Sequence, residues 1–162
     1  MPQNHYNVLH HWREAVPNDR MAHLVRDTER AFRRALQQRL AAQGVSFGHW
    51  AFLRILWEAD GQGGLTQKEL SNRAGVMEPT TFTAMKAMET LGYISRKQLP
   101  TNKKNVYVDL TDAGRGLKQQ LVPLAVATNQ ISVKGLDAAD VATARKVLLA
   151  MLTNLSEDLD VT

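Results

Sequence analysis

The sequence predicts a mainly α-helical protein with one small β-hairpin, and three observations support this fold class. Apolar residues recur every three or four positions in long segments near both ends of the chain, which is the period of an amphipathic helix. Two short segments with helix-start signals lie between them, separated by a glycine-containing turn. A segment in which apolar and polar residues alternate follows, as expected for a strand.

Two helices are expected before the short ones. The first is long and amphipathic, begins after Asn18 or Asp19, either of which can cap it, and ends near Gly44. The second, residues 50–57, is apolar around its whole circumference and is therefore expected to be buried. The glycine-rich segment 61–64 should end it.

The two short helices are predicted between residues 65 and 92. Thr66, followed three positions later by Glu69, has the spacing of a capping box and should start the first of them. The turn is expected at Ala74-Gly75-Val76, and Pro79 suits the first turn of the second helix. Apolar side chains recur along that second helix at Phe82, Met85, Met88 and Leu91.

A β-hairpin should come next. Residues 93–99 and 106–110 are predicted strands, because Val106, Val108 and Leu110 alternate with polar residues. The connection 100–105 contains two lysines. The hairpin is therefore expected to have a basic tip.

Two long helices complete the predicted fold. Residues 111–114 restart helical structure, and Pro123 should bend the helix that follows. The last helix is expected to begin at Asp137 or Asp140, with an apolar stripe that continues to Leu159. Each terminal helix thus has an apolar face that we expect a partner subunit to bury.

Composition limits the function classes. The 162 residues are 44% hydrophobic, enough for one sizeable core, and 20 Lys+Arg against 16 Asp+Glu give a net charge of +4, which suits an anionic partner. There are no cysteines, so the chain needs no oxidising compartment and has no thiolate chemistry. No apolar run has the length of a secretory or membrane-spanning segment. We therefore expect a cytoplasmic protein without a membrane partner.

The order of the central elements indicates DNA binding. A helix-turn-helix followed directly by a hairpin is a winged helix-turn-helix, in which the second short helix can enter a major groove. The hairpin then lies beside it, over the phosphate backbone or a minor groove. Base edges are read by the helix, and much of the affinity comes from phosphate contacts.

Several motifs in this region resemble the multiple-antibiotic-resistance-regulator (MarR) family. They are Leu65-Thr66-Gln67-x-Glu69-Leu70, Ala74-Gly75-Val76, Thr80-Thr81, Met88-Glu89-x-Leu91-Gly92-Tyr93-Ile94 and Leu110-Thr111-Asp112-Ala113-Gly114. The resemblance covers about residues 20–158. It implies a homodimer that binds a palindromic operator in double-stranded DNA, usually as a repressor that a small ligand releases. It also implies an N-terminal arm at 1–18, a winged helix-turn-helix DNA-binding domain at 45–111, and dimerisation helices at 19–44 and 112–162.

Two positions depart from the family pattern. The hairpin tip has Asn102-Lys103-Lys104 where many relatives have Asp-Arg-Arg, which keeps the charge but loses the planar arginine fork. In the second short helix, Thr83 occupies a position where relatives often have arginine. Hydroxyl and thymine-methyl contacts should therefore count for more in base recognition.

The candidate DNA-binding residues come from the two short helices and the hairpin. Each has a simpler alternative role: helix capping for Thr66 and Gln67, a solvated face for the second helix, and a charged strand edge for the hairpin. Phe82 fits the core better than a thymine methyl. The full set is Thr66, Gln67, Pro79, Thr80, Thr83, Lys86, Arg96, Lys97, Lys103 and Lys104.

A small-molecule effector site is expected near the second helix. The family commonly binds aromatic acids between the dimer helices and the winged domain, and arginine can pair with a carboxylate. Structural packing of the indoles and ion pairs within the protein are the alternatives. The candidates are His49, Trp50, Arg54, Trp57, Arg26 and Arg30.

Other function classes find less support. No nucleophile–base pair, phosphate-binding loop or cofactor motif is present, so neither an enzyme nor a cofactor is expected. Of the five histidines, His5, His10 and His11 lie in the N-terminal arm without a carboxylate at ligand spacing, and no metal site is expected. Two alternatives stay open: a winged-helix protein-interaction module without an effector, and a DNA-binding protein that responds to no ligand.

Overall fold

The computed structural model describes residues 21–99 and 102–160 and has the predicted mainly helical fold with a small sheet. The expected N-terminal arm and the expected caps Asn18 and Asp19 lie outside the described residues. The helices are α1 (Met21–Ala41), α2 (Phe47–Glu58), α3 (Gln67–Ala74), α4 (Glu78–Thr90), α5 (Asp112–Ser132) and α6 (Ala138–Asp160). The strands are β1 (Leu65–Thr66), β2 (Ile94–Leu99) and β3 (Asn102–Leu110).

Two helix starts sharpen the sequence predictions. Helix α2 begins three residues before the predicted start, because the Ser46 hydroxyl accepts a hydrogen bond from the His49 N–H at 3.1 Å and caps the helix. At the start of α6, the Val141 N–H donates to the Asp137 carbonyl at 3.1 Å. Asp137 rather than Asp140 therefore precedes the helix. Pro123 lies inside α5, as predicted.

The sheet has three antiparallel strands in the order β1-β3-β2, so a short strand joins the predicted hairpin. Leu65 pairs with Val108 and Thr66 with Tyr107. The sequence did not predict β1 because it consists of two residues that lead directly into the capping box of α3. Through β1, the start of the helix pair is hydrogen-bonded to the hairpin.

The hairpin connection differs from the prediction. The expected loop was 100–105, but β3 begins at Asn102. The register runs from Ile94↔Leu110 to Gln98↔Val106 and then moves to Leu99↔Asn102. In the described part of the hairpin, residues 103–105 therefore form a bulge on β3. Lys103 and Lys104 belong to a bulged strand, not to a loop.

Contacts divide the chain into two units, one ending at Val126 and the other beginning at Ala127. The first unit has a continuous apolar core to which α2, α4 and the sheet contribute. Its completely buried side chains include Leu40, Leu53, Leu70, Met85, Met88, Val108 and Leu121. Most side chains of α6, in the second unit, are exposed.

The first turn of α5 is fixed to two other elements of the first unit. The Thr111 hydroxyl donates to the Gly92 carbonyl at 2.5 Å, and the Trp57 indole N–H donates to the Gly114 carbonyl at 3.0 Å. The Tyr93 carbonyl lies so close to Gly114 that an added Cβ would meet its oxygen at 2.0 Å. Only glycine fits there without movement of the backbone.

Candidate nucleic-acid interface

Helix α3 begins with the predicted capping box. The Glu69 N–H donates to the Thr66 hydroxyl at 3.2 Å, and the Thr66 N–H donates to the Glu69 carboxylate at 2.7 Å. The Thr66 hydroxyl also donates to that carboxylate at 2.7 Å, and these bonds lower the pKa of Glu69 from its ordinary value. The Thr66 side chain is therefore engaged in the cap, and the half-buried Gln67 is the first residue of the helix.

The turn between α3 and α4 sets the angle of the helix pair. Gly75 has φ 62° and ψ 33°, a left-handed conformation that ends α3, and its N–H donates to the Asn72 carbonyl at 3.2 Å. The hydroxyls of Ser71 and Thr81 lie 2.7 Å apart and are both buried. This hydrogen bond joins the two helices directly and fixes which side of α4 faces the core.

Helix α4 has a buried side and an exposed side. Thr81, Met85 and Met88 are buried and lie on one line, because side chains rotate by about 100° per residue around a helix. The middle of the opposite, exposed side is formed by Pro79, Thr83, Lys86 and Thr90, and we call these four residues the α4 face. Thr80 lies on one flank of the α4 face, with Ala84 and Ala87. Phe82 and Glu89 lie on the other flank.

The structure brings four of the predicted DNA-binding residues together on this side of α4. Pro79, Thr80, Thr83 and Lys86 are all exposed within two turns of helix. The Thr83 hydroxyl donates to the Pro79 carbonyl at 3.0 Å, so it presents its lone pairs outward as an acceptor. One amine and two threonine hydroxyls are thus exposed within two turns of the same helix.

Two of the four predicted hairpin cations, Arg96 and Lys97, contact carboxylates of the protein. Arg96 donates from Nε and Nη2 to the Glu89 carboxylate, at 2.9 and 2.5 Å, and these bonds lower the pKa of Glu89. The Arg96 guanidinium also lies 5.9 Å from the centre of the Phe82 ring. Lys97 Nζ lies 4.0 Å from the Asp109 carboxylate.

Phe82 contradicts the expectation of a core position. Its side chain is 52% exposed and lies between the α4 face and β2. Sequence reasoning also missed the Arg96–Glu89 pair. Glu89 lies in α4 and Arg96 in β2, on either side of the turn at Gly92, so no helical spacing relates them.

An open groove of about 510 Å³ lies on the Thr80 flank of α4. The start of α2 forms its other wall through Ser46, Gly48 and His49. His49 is half-buried, and burial lowers its pKa from the ordinary value near 6.5. A neutral imidazole, two threonine hydroxyls and small apolar side chains therefore line one concave surface.

The remaining effector candidates do not gather into one site in the described residues. Trp50 and Trp57 are buried, with ring centres 5.7 Å apart in an edge-on arrangement, and the Trp57 N–H is used by the first turn of α5. Arg54 and Arg30 are exposed, whereas Arg26 forms a 3.4 Å ion pair with Asp27. Of the six candidates, only His49 lines the groove.

Comparison with known proteins tests the interpretation of this region. Residues 49–106 match the model of the MarR family, a range that contains α2, the helix pair and most of the hairpin. These residues thus form a region similar to a MarR-family domain. The chain is 29% identical over 129 residues to the HTH-type transcriptional regulator TtmR of Methylorubrum extorquens, an alignment that covers 80% of this chain and 62% of TtmR.

Solved structures share the fold of the MarR-family domain and its flanking helices. The transcriptional regulator PA3341 is 28% identical and superposes with a TM-score of 0.71, over 84% of this chain and 98% of that one. The structure of S. aureus MepR in complex with DNA superposes with a TM-score of 0.74 at 20% identity, over 83% and 97% of the two chains. The predicted winged-helix fold is confirmed.

The described residues contain neither a membrane-spanning helix nor a metal-binding cluster. Within residues 21–99 and 102–160, no helix is long and apolar enough to cross a membrane. The same ranges contain no group of three or more histidine, aspartate or glutamate side chains arranged to hold a metal ion. His5, His10 and His11 lie outside these ranges.

Proposed function

We propose that the protein is a DNA-binding transcriptional regulator that recognises a palindromic operator as a homodimer. The observation that carries this proposal is the α4 face, because the Ser71–Thr81 hydrogen bond turns hydroxyls and an amine outward on a helix of the right size for a major groove. The match to the MarR family model supports it, and so does the fold shared with a regulator solved in complex with DNA. The curated relatives are named as transcriptional regulators rather than enzymes.

The proposed dimer interface includes α6. Leu148, Leu152 and Leu155 recur at three- and four-residue steps along it and are 46%, 64% and 61% exposed. An apolar stripe of this kind is stabilised when a second copy covers it. Two-fold symmetry then places the two α4 helices on half-sites about 34 Å apart, one turn of DNA.

The proposed effector site is the groove beside His49. A small aromatic or amphipathic acid that enters it contacts Thr80 and Thr83, the same residues that we assign to the operator. Ligand and DNA therefore compete for one surface, so the ligand releases the protein from its operator, and we propose that the bound protein is a repressor. The B. subtilis relative YetL, 24% identical over 97 residues, is named as a transcriptional repressor. The site of action is cytoplasmic DNA.

The proposal is tested by binding to duplexes selected from a random pool, followed by fluorescence anisotropy at several salt concentrations. Thr80→Ala and Thr83→Ala should each reduce the difference in binding free energy between the selected duplex and random DNA by about 1 kcal/mol.

Lys86→Ala should weaken binding to the selected duplex and to random DNA similarly. It should also reduce the slope of log affinity against log salt concentration by about one unit. The double variant Lys103→Ala/Lys104→Ala should flatten it by about one to two units.

Lys146→Ala is the matched control, because this exposed lysine lies in α6 and not in the helix pair. It should leave the affinity and the salt slope unchanged. No selection of any duplex by the wild-type protein, even at low salt, would contradict the proposal. DNA binding without dependence on Thr80, Thr83 or Lys86 would place the interface elsewhere on the protein.

A further inference from the structure

Phe82 is a large apolar side chain that the first unit leaves at its surface. It is 52% exposed, although the core passes directly beneath α4 through Met85 and Met88. Burying a phenylalanine stabilises a folded protein, so an exposed ring gives up a substantial contribution to folding. Its position beside the α4 face suggests a role in binding.

The ring has a defined position because Arg96 supports it. The guanidinium lies 5.9 Å from the ring centre, within the range of a cation–π contact, and is itself held by two hydrogen bonds to Glu89. The Arg96 side chain is only 21% exposed. A phenyl ring has two rotatable bonds, so this contact leaves it little conformational freedom to lose on binding.

The charges on this flank favour a base contact over a phosphate contact. Glu89 compensates the positive charge of Arg96, so the pair offers no net cation to a phosphate. Phe82 is next to Thr83 in sequence and four residues from Lys86, on the side of the α4 face that points toward the hairpin. In a major groove, the apolar feature that distinguishes one base from the others is the C5-methyl group of thymine.

We propose that Phe82 is a specificity-determining residue that contacts a thymine methyl group, and that Arg96 and Glu89 are the positioning residues for its ring. The inference rests on the proposed function, since it needs α4 in a major groove. It assigns Arg96 a role different from the phosphate contact that the sequence suggested.

The test compares thymine with deoxyuridine, which lacks only the methyl group. In the selected duplex, each thymine of a half-site is replaced in turn by deoxyuridine, and affinities are measured for the wild-type protein and for Phe82→Ala. The wild-type protein should lose about fourfold in affinity at one position, the effect of one methyl-sized group. Phe82→Ala should bind both duplexes equally at that position.

Leu91→Ala is the matched control, because Leu91 is 50% exposed and lies past the other end of α4. It should keep the fourfold discrimination. Thermal unfolding of Phe82→Ala, which should be cooperative, verifies that the variant is folded. A deoxyuridine penalty that persists in Phe82→Ala, or the absence of any penalty in the wild-type protein, would overturn the assignment.

The double variant Arg96→Gln/Glu89→Gln tests the positioning role. It should reduce the discrimination between thymine and deoxyuridine while leaving the salt slope of binding unchanged, because it removes both members of the ion pair and no net charge. If Arg96 instead contacts a phosphate, the slope should fall by about one unit and the discrimination should persist. Failure of the wild-type protein to bind any duplex is a different result, which overturns the proposed function and this inference with it.

Discussion

The two units of the chain differ in where their apolar side chains lie. In the first unit, residues from α1 to the middle of α5 share one core, and side chains such as Leu53 and Met85 are completely buried. In the second unit, the apolar side chains of α6 face outward, with Leu152 at 64% exposure. The first unit therefore has its own source of stability, whereas the apolar side chains of α6 are left exposed, and in the proposed dimer a second copy covers them.

Gly114→Ala tests the integrity of the first unit and should have the largest effect. The new Cβ would lie 2.0 Å from the Tyr93 carbonyl oxygen, so the backbone of either α5 or the segment just before β2 has to move. We expect a loss of about 3 kcal/mol or more in the free energy of unfolding. Urea denaturation, followed by the Trp50 and Trp57 fluorescence, measures it.

Gly116→Ala is the control two positions along the same helix. A Cβ there has no heavy atom within 4 Å, apart from its own helix and chain neighbours. Alanine should therefore stabilise α5 by about 1 kcal/mol, the difference in helix propensity. Equal effects of the two alanines would show that the contact at Gly114 is not tight.

Leu152→Glu tests the second unit. A carboxylate on the exposed stripe of α6 should raise the dimer dissociation constant about 100-fold, because it introduces an unpaired charge into an apolar interface. Sedimentation equilibrium measures the change. The near-ultraviolet circular dichroism of the buried tryptophans should persist, since they belong to the core of the first unit.

Asn154→Glu adds the same charge on the opposite side of α6, where the side chain is also exposed. It should change the dissociation constant by less than about threefold. A Leu152→Glu protein that is as dimeric as the wild type would break the contrast between the two units, because the stripe would then need no partner.

Thr81→Val tests the hydrogen bond that joins the two short helices. It preserves the shape of the side chain but leaves the Ser71 hydroxyl buried without its 2.7 Å partner. We expect a loss of about 1–2 kcal/mol in the free energy of unfolding, and Ser71→Ala in the same chain should recover part of it. Additive effects of the two substitutions would mean that the hydroxyls contribute independently.

Lowering the pH should reduce the free energy of unfolding of the first unit in two steps. This is the smallest of the expected effects. The pKa of His49 is lowered by burial, and that of Glu69 by its bonds to Thr66, so the unfolded chain binds protons more readily than the folded one. Stability is then lost as the pH falls below about 6.5 for His49 and below about 4.5 for Glu69. His49→Gln should flatten only the first step and Glu69→Gln only the second, in urea midpoints measured against pH.

The apolar periodicity predicted the helices correctly but placed Phe82 in the core, where it does not lie. The reason is geometrical. Three residues fall about 60° short of a full helical turn, so a series with this spacing winds around the helix. In the series Phe82, Met85, Met88 and Leu91, the two central members are buried and the two end members are about half exposed. The third buried residue of α4 is instead Thr81. Because Thr81 is polar, a pattern of apolar residues does not include it.

The parts of the site that the sequence did not predict depend on contacts between elements. The capping box was predictable because its residues are three positions apart and act within one turn. The pairing of β1 with β3, the Ser71–Thr81 bond and the support of Phe82 by Arg96 each join residues from different elements. No local pattern encodes such pairings, since they exist only once the elements have packed.

The first turn of α5 has a mechanical consequence. Thr111 donates a hydrogen bond to the Gly92 carbonyl, just past the end of α4. The Gly114 carbonyl accepts a hydrogen bond from Trp57, and the Gly114 backbone lies against the Tyr93 carbonyl. These contacts hold the start of α5 in a fixed position relative to the end of α4. A rotation of the beginning of α5 would therefore also rotate the end of α4 and the start of the hairpin, which follows Gly92 directly.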